Sequence, residues 1–113
     1  MQLPNAERAV VEATNVHEYL LSADHPIGRF KAACFRSLGF SATDWSALQQ
    51  ALLVHGRTGD AVPDAPSPYG QKFRVRRMLQ APAGRSAFVV TVCIVRPGAV
   101  SPHLVTAFPG APR

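Results

Sequence analysis

The fold is decided by residues 69–95, which read YGQKFRVRRMLQAPAGRSAFVVTVCIV. In the first part of this stretch, 69–79, β-forming residues alternate with arginines, and in the last part, 86–95, the run FVVTVCIV is typical of a buried strand. The sequence Ala81-Pro82-Ala83-Gly84 between them predicts a turn, so a hairpin is the simplest connection. After a second turn at Arg96-Pro97-Gly98, residues 100–108 predict a further strand. The second half of the chain therefore predicts an antiparallel meander.

Helical patterns precede the sheet. Residues 1–13 predict an extended lead anchored by Leu3, Val10 and Val11. The pair Asn15 and Glu18 resembles a capping box and predicts a short helix over 15–22.

Two further helices follow in the sequence. His25-Pro26 predicts the start of one helix, with an apolar stripe of Ile27, Phe30, Cys34 and Leu38 and an end at Gly39. Ser41 and Asp44 form a second capping box, and the next helix buries Trp45, Leu48 and Leu52 and ends near His55-Gly56.

Residues 56–68 are rich in Gly, Pro and Asp and predict a long surface loop. The chain therefore divides into a helical part (1–55), a loop (56–68) and a sheet (69–108), and its 113 residues suit a single domain. We expect an α+β fold with two to three N-terminal helices packed on one face of a three- to four-stranded antiparallel sheet.

Charge is distributed unevenly along the chain. All seven acidic residues lie between Glu7 and Asp64, whereas residues 65–113 contain seven Lys and Arg and no carboxylate side chain. This polarity favours a polyanionic partner, with RNA as the first candidate. Solvated arginines, or a basic face that binds an acidic protein, would explain the same pattern.

The predicted strand 69–79 would concentrate cations on one face. Strand pleating places Lys72, Arg74 and Arg76 together, with Phe73, Val75, Arg77 and Leu79 on the other face. A cation every two residues approximates the phosphate repeat of an extended nucleic-acid strand, but cations on an edge strand also prevent sheets from aggregating. In the last strand, alternation predicts that Thr106 and His103 lie on opposite faces of the sheet. Thr91 of the preceding strand is predicted to take a position similar to that of Thr106.

His25 and Lys31 lie near a predicted helix N-terminus, where a neutral imidazole is favoured and backbone N–H groups attract phosphate. His25 could serve as a base for the 2′-OH of RNA, or could only cap the helix. His103 is a competing acid–base candidate. RNA cleavage without a metal ion needs a base, an acid, and cations or hydroxyl donors near phosphorus, and His25, Lys31, Tyr69, Lys72, Arg74 and Thr106 supply those groups.

Several classes are disfavoured by the sequence. No apolar run approaches 18 residues and the start has no signal-peptide pattern, so we expect a cytoplasmic protein without a membrane segment. Cys34 and Cys93 have no metal-ligand spacing and are typical of structural thiols. No zinc pattern, GxGxxG or phosphate loop is present, so no metal or cofactor is expected.

The ordered blocks of the chain resemble a bacterial family, the domain of unknown function 6883. The resemblance rests on Leu3-Pro4-Asn5-Ala6, Tyr19-Leu20-Leu21, His25-Pro26-Ile27-Gly28-Arg29-Phe30-Lys31-Ala32, Phe35, Leu38-Gly39-Phe40, Tyr69-Gly70-Gln71-Lys72 and Leu104-Val105-Thr106-Ala107-Phe108. Similar domains with this HPxGxxKAxxF block occur at the C-terminal ends of polymorphic toxins and resemble ribonucleases of the barnase/EndoU/RelE-type fold. The chain departs from the pattern at Cys93, where Trp is expected, and at His103, where Arg often precedes the LVTA block.

The resemblance implies His25, Lys31, Tyr69, Lys72 and Thr106 as site residues. We expect His25, Lys31, Tyr69 and Thr106 to be catalytic and, together with the strand pattern, Lys72, Arg74 and Arg76 to bind phosphate. We therefore expect a metal-independent ribonuclease-like toxin or toxin-derived domain that acts on RNA. The alternative is a non-catalytic RNA-binding or protein-binding module, such as one member of a toxin–antitoxin or immunity pair. An acidic antitoxin or immunity protein is the expected protein partner.

Overall fold

A four-stranded antiparallel sheet with strand order β1-β2-β3-β4 organises the chain. The structure is a computed structural model that describes residues 1–12, 16 and 29–110. Its strands are β1 (Asp60–Pro63), β2 (Gln71–Gln80), β3 (Ser86–Val95) and β4 (His103–Pro109), and its helices are α1 (Arg29–Ser37) and α2 (Trp45–Thr58). The expected α+β class with a helix packed on an antiparallel sheet is confirmed. The helix predicted over 15–22 and the helix start predicted at His25-Pro26 lie outside the described residues.

Helix α1 ends in a Schellman motif, as its glycine predicts. Gly39 has φ 101°, and the N–H of Phe40 donates to the carbonyl oxygen of Phe35 at 3.2 Å. The rings of Phe35 and Phe40 meet edge to face with centroids 6.5 Å apart. This aromatic contact is the hydrophobic interaction that usually accompanies the motif. Ala32 and Phe35 are buried, whereas Cys34 of the predicted stripe is only half-buried.

Helix α2 begins at the predicted cap. The Ser41 hydroxyl accepts a hydrogen bond from the backbone N–H of Asp44 at 3.2 Å, which leads through a 3₁₀ turn into the helix. Leu48 and Leu52 are fully buried, and Trp45 is partly buried against the core. The helix continues two residues beyond Gly56 of the predicted end, to Thr58.

The surface loop predicted over 56–68 is wrong in its first half. Residues 56–58 belong to α2, and β1 follows at once and pairs with β2 from Asp60↔Arg76 to Pro63↔Phe73. Gly59 makes this sharp transition feasible, because a Cβ there would lie 2.5 Å from a methyl group of Val75. The composition of 56–68 concealed the strand, since Pro63 sits at its end, where a missing N–H is tolerated.

The core lies between the helices and one face of the sheet, which we call the helix side. Phe73, Val75 and Leu79 of β2 and Val89 and Cys93 of β3 belong to it, with Leu104 and Ala107 of β4. The β2–β3 hairpin is in register from Gln71↔Val95 to Gln80↔Ser86, which confirms the predicted connection. The alternation predicted for β2 is therefore correct.

The N-terminal segment touches both outer strands. The backbone N–H of Ala61 in β1 donates to the carbonyl of Met1 at 2.7 Å. Further along, Val10 forms an isolated parallel bridge with His103 of β4, and its carbonyl accepts from Leu104 N–H at 3.0 Å. Leu3 and Val11 are buried, as the predicted anchors require, so this segment packs along the sheet and protects part of its edges.

Candidate functional site

A row of three cations runs along β2 on the face opposite the helix side, and we call this face the cationic face. Lys72 and Arg74 are exposed and Arg76 is half-buried, whereas the intervening Phe73 and Val75 are buried. Successive cations are therefore about 6.6 Å apart along the strand. The predicted grouping of Lys72, Arg74 and Arg76 is found in the structure.

Arg74 of this row is compensated by the residue that follows β1, because its Nε lies 3.3 Å from both carboxylate oxygens of Asp64. Asp60, the strand partner of Arg76, pairs with the N-terminal ammonium of Met1 at 2.8 Å. Lys72 is exposed and forms no ion pair among the described residues. Lys72 is consequently the cation most readily offered to a ligand.

The neighbouring strand β3 contributes an apolar row to the same face. Its register places Ile94 beside Lys72, Val92 beside Arg74 and Val90 beside Arg76. These three side chains are at most 8% exposed. The polar side chains of the cationic face therefore belong to the two flanking strands, β2 and β4.

An irregularity in β4 overturns one sequence-based prediction. Val92 pairs with Thr106 and Cys93 with Leu104, so Val105 is an extra residue in a β-bulge. Because a bulge shifts the alternation by one residue, His103 and Thr106 lie on the same face of the sheet. Simple alternation placed them on opposite faces and was wrong. Thr106 and His103 both lie on the cationic face, across β3 from Arg74 and Lys72 respectively.

The prediction that Thr91 and Thr106 occupy similar positions is also wrong. Thr91 pairs with Ala107, points to the helix side and is 1% exposed. It therefore does not share the position of Thr106 and is not available to a ligand on the cationic face.

His103 is oriented by a carboxylate that the sequence did not reveal. Its Nδ1 lies 3.5 Å from Oε1 of Glu12, and its side chain is 30% exposed. Glu12 follows the segment that bridges to β4 through Val10, so its approach depends on a contact between the two ends of the chain. A carboxylate on one ring nitrogen fixes the imidazole and leaves Nε2 for a ligand.

The other predicted site residues have different surroundings. Tyr69 is 78% exposed in the turn before β2, where its backbone N–H donates to the Ser67 hydroxyl at 3.3 Å. Lys31 lies in α1, and His25 lies outside the described residues. Their assigned roles stay predictions.

A second histidine lies in the core beneath the helix side. His55 of α2 is 1% exposed, and its Nε2 lies 2.8 Å from the Val89 carbonyl oxygen and 3.1 Å from that of Arg77. Its Nδ1 lies 3.3 Å from the Thr91 hydroxyl. Burial lowers the pKa of His55, so the ring is neutral, donates from Nε2 and accepts at Nδ1. These contacts make His55 a structural link between α2 and the hairpin.

The two cysteines are free thiols. Burial raises the pKa of the Cys93 thiol to about 11, and burial also raises the pKa of Cys34. Because the thiolate is the nucleophilic form, this environment disfavours a catalytic cysteine. Within the described part of the chain, no group of three His, Cys, Asp or Glu side chains is arranged to hold a metal ion, and no helix is long and apolar enough to cross a membrane.

The fold and the cationic face define a small α+β domain with a basic, histidine-containing sheet surface. The chain belongs to the DUF6883 family (domain of unknown function), whose model matches residues 2–111. It is also similar to a solved structure described as a contact-dependent growth inhibition toxin–immunity protein complex from Klebsiella pneumoniae 342. That similarity has a TM-score of 0.61 at 16% identity and covers 94% of this chain and 97% of the other, which establishes a shared fold. No curated protein matches the sequence significantly.

Proposed function

We propose that this protein is a ribonuclease-like toxin or toxin-derived domain that cleaves RNA without a metal ion. The observation that carries the proposal is the β4 bulge, which places His103 and Thr106 on the face that bears Lys72, Arg74 and Arg76. The two flanking rows are two strands apart, about 9.6 Å between backbones. The long side chains of Lys72 and Arg74 can reach across that distance toward a phosphate group held beside His103 and Thr106.

The proposed reaction is an internal transesterification. A base removes the proton of the 2′-OH, the 2′-oxygen forms a bond to phosphorus, and the bond from phosphorus to the 5′-oxygen breaks. An acid gives a proton to the leaving 5′-oxygen, and the products are a 2′,3′-cyclic phosphate and a free 5′-OH. His103 and His25 are the proposed acid–base pair.

The cations and hydroxyl groups have supporting roles. Lys72 and Arg74 stabilise the negative charge that develops on the phosphorane, and Arg76 holds an adjacent phosphate. Thr106, Tyr69 and Lys31 position the scissile phosphate.

Glu12 is proposed to orient His103. Its carboxylate lies beside Nδ1, so it holds the ring and directs Nε2 toward the RNA. This arrangement parallels the way in which a carboxylate orients the histidine of other hydrolytic sites.

The comparisons support the toxin or immunity class. The similar structure is a toxin–immunity complex, and a basic nuclease of this size would need an acidic partner to protect its host. We infer an acidic immunity or antitoxin protein that covers the cationic face, and a cytoplasmic site of action.

The test is incubation of the purified protein with total bacterial RNA in EDTA, with His103→Ala and His25→Ala in parallel. Arg57→Ala is the matched control, because Arg57 is an exposed cation on α2, away from the cationic face. We expect cleavage by the wild type and the control, products ending in 2′,3′-cyclic phosphate, and loss of cleavage in both histidine variants. Intact RNA after prolonged incubation with folded wild-type protein would contradict the proposal.

A non-catalytic binding module is the second candidate. The Arg74–Asp64 contact favours it, because this arginine already binds a carboxylate group through its Nε. RNA that is retained but not cleaved would support an RNA-binding module. An acidic protein that binds the wild type and not Arg74→Glu, with no RNA retention, would support a protein-binding module.

A further inference from the structure

The outer edge of β2 is covered along only part of its length. Strand β1 pairs with β2 as far as Asp60↔Arg76, and the remaining residues of β2, 77–80, have no strand beside their outer edge within the described chain. The uncovered segment faces the C-terminal half of α2. An unpaired edge is a template for another strand unless it is blocked.

The backbone groups of Met78 and Gln80 point toward this edge. On the far side of the sheet, the carbonyl of Phe88 accepts from the N–H of Gly110 at 3.1 Å, so Phe88 directs its backbone polar groups toward β4. In an antiparallel sheet, the backbone N–H and C=O groups of successive residues point to opposite neighbouring strands. The N–H and C=O of Val89 therefore point toward Arg77 of β2. Met78 and Gln80 therefore direct two N–H and two C=O groups away from β3.

A cavity opens beside these groups. Its volume is about 250 Å³. Its lining residues are Gln50, Ala51, Val54 and His55 of α2 and Arg77, Met78 and Gln80 of β2. A cavity of about 150 Å³ is enough to hold a benzene molecule. One aliphatic side chain therefore fits. Val54 and Met78 are 56% and 43% exposed, so two large apolar side chains stand at the rim without cover.

The charges around this edge of β2 indicate which kind of segment can bind there. Arg77 is exposed at the cavity and Arg57 is exposed on the following turn of α2, and none of the lining residues is acidic. A second copy paired through Met78 would place the two Arg77 side chains diagonally across from each other on one face, which like charges disfavour. An acidic segment is complementary.

We propose that residues 78–80 of β2 bind an extended acidic segment of a partner protein, which adds as a strand in line with β1. Its backbone pairs with Met78 and Gln80, one of its apolar side chains enters the cavity, and its carboxylates meet Arg77 and Arg57. This edge is separate from the RNA site. If no acidic segment binds here, the proposed cleavage reaction is not affected.

The test uses a fluorescein-labelled seven-residue peptide in which Glu alternates with Val and Leu, measured by fluorescence anisotropy against the whole chain. A peptide with Lys in place of Glu is the charge control. We expect saturable binding of the Glu peptide below about 1 mM and none of the Lys peptide.

Three variants locate the site. Met78→Pro removes one outward N–H, which an edge strand tolerates, and should weaken binding about fivefold or more. Val54→Glu adds a carboxylate at the rim and should weaken it similarly, whereas Val100→Glu, at a comparably exposed valine in a distant turn, should not. Unchanged binding in both Met78→Pro and Val54→Glu, equal binding of the Lys peptide, or no saturable binding would overturn the proposal. Concentration-dependent dimerisation that is lost in Met78→Pro would also overturn it, in favour of a second copy.

Discussion

The side-chain oxygen of Thr91 lies 3.3 Å from Nδ1 of His55, on the helix side of the sheet. The other ring nitrogen of His55 contacts the carbonyls of Val89 and Arg77, so one imidazole joins α2 to both strands of the hairpin. This network satisfies every polar atom of a buried ring. It also ties the stability of the fold to the protonation of His55.

The free energy of unfolding should fall below pH 6.5. Burial lowers the pKa of folded His55 below its usual 6.5, so at lower pH the unfolded chain takes up a proton that the folded chain does not. The stabilisation is complete above pH 6.5 and is lost as pH falls through the lowered pKa, at no more than about 1.4 kcal/mol per pH unit. Urea unfolding between pH 8 and pH 5 measures it. His55→Gln should abolish this component and His103→Gln should retain it; an unchanged slope in His55→Gln would refute the assignment.

RNA binding should depend more on the cationic face than on net charge. Arg74→Glu and Arg57→Glu both change the formal net charge from +5 to +3, since each replaces a cation by an anion. Only Arg74→Glu removes a proposed phosphate contact, so only this variant should reduce the slope of log K against log salt, by about 0.7. Filter binding of single-stranded RNA at several salt concentrations measures the slopes. Equal effects of the two substitutions would show that the attraction is nonspecific.

The sequence predicted the hairpin well because its signals are local. Strand β3 occupies the predicted 86–95, and the capping side chain of Ser41 is where the pattern placed it. Strand β1 was missed because four residues among Gly, Pro and Asp carry little periodicity, and its pairing is dictated by α2 leading directly into it.

The candidate site was predicted less completely. Its cation row follows from pleating alone, so Lys72, Arg74 and Arg76 were placed correctly. The positions of His103 and Thr106 depend on a bulge at Val105, and the Glu12–His103 contact joins residues 91 apart in the chain. Neither the bulge nor this contact can be predicted from the spacing of residues along the sequence.

Glu12→Gln should lower RNA cleavage without unfolding the protein. The substitution keeps the size of a side chain that is 58% exposed and removes the charge beside Nδ1 of His103. Loss of the orientation of one acid–base group is expected to lower kcat about tenfold to a hundredfold, which is less than the roughly 10²–10⁴-fold that such a group contributes in full. Glu7→Gln, an exposed glutamate of the same segment, is the control. Equal rates of Glu12→Gln and Glu7→Gln would exclude Glu12 as a positioning residue.

Gly70→Ala should destabilise the junction between the turn at Tyr69 and β2. Gly70 has φ 131°, which L-residues rarely adopt, and an added Cβ would collide with the carbonyl oxygen of Val95. We expect the free energy of unfolding to fall by about 1–3 kcal/mol. Gly56→Ala is a control of opposite sign: Gly56 lies within α2, a Cβ there meets nothing within 4 Å, and alanine is the better helix former by about 1 kcal/mol. Because Tyr69 and Lys72 flank this junction, Gly70→Ala should also weaken RNA binding, whereas Gly56→Ala should leave it unchanged. A Gly70→Ala protein as stable as the wild type would show that the junction can relax, and the positions of Tyr69 and Lys72 would then not depend on this glycine.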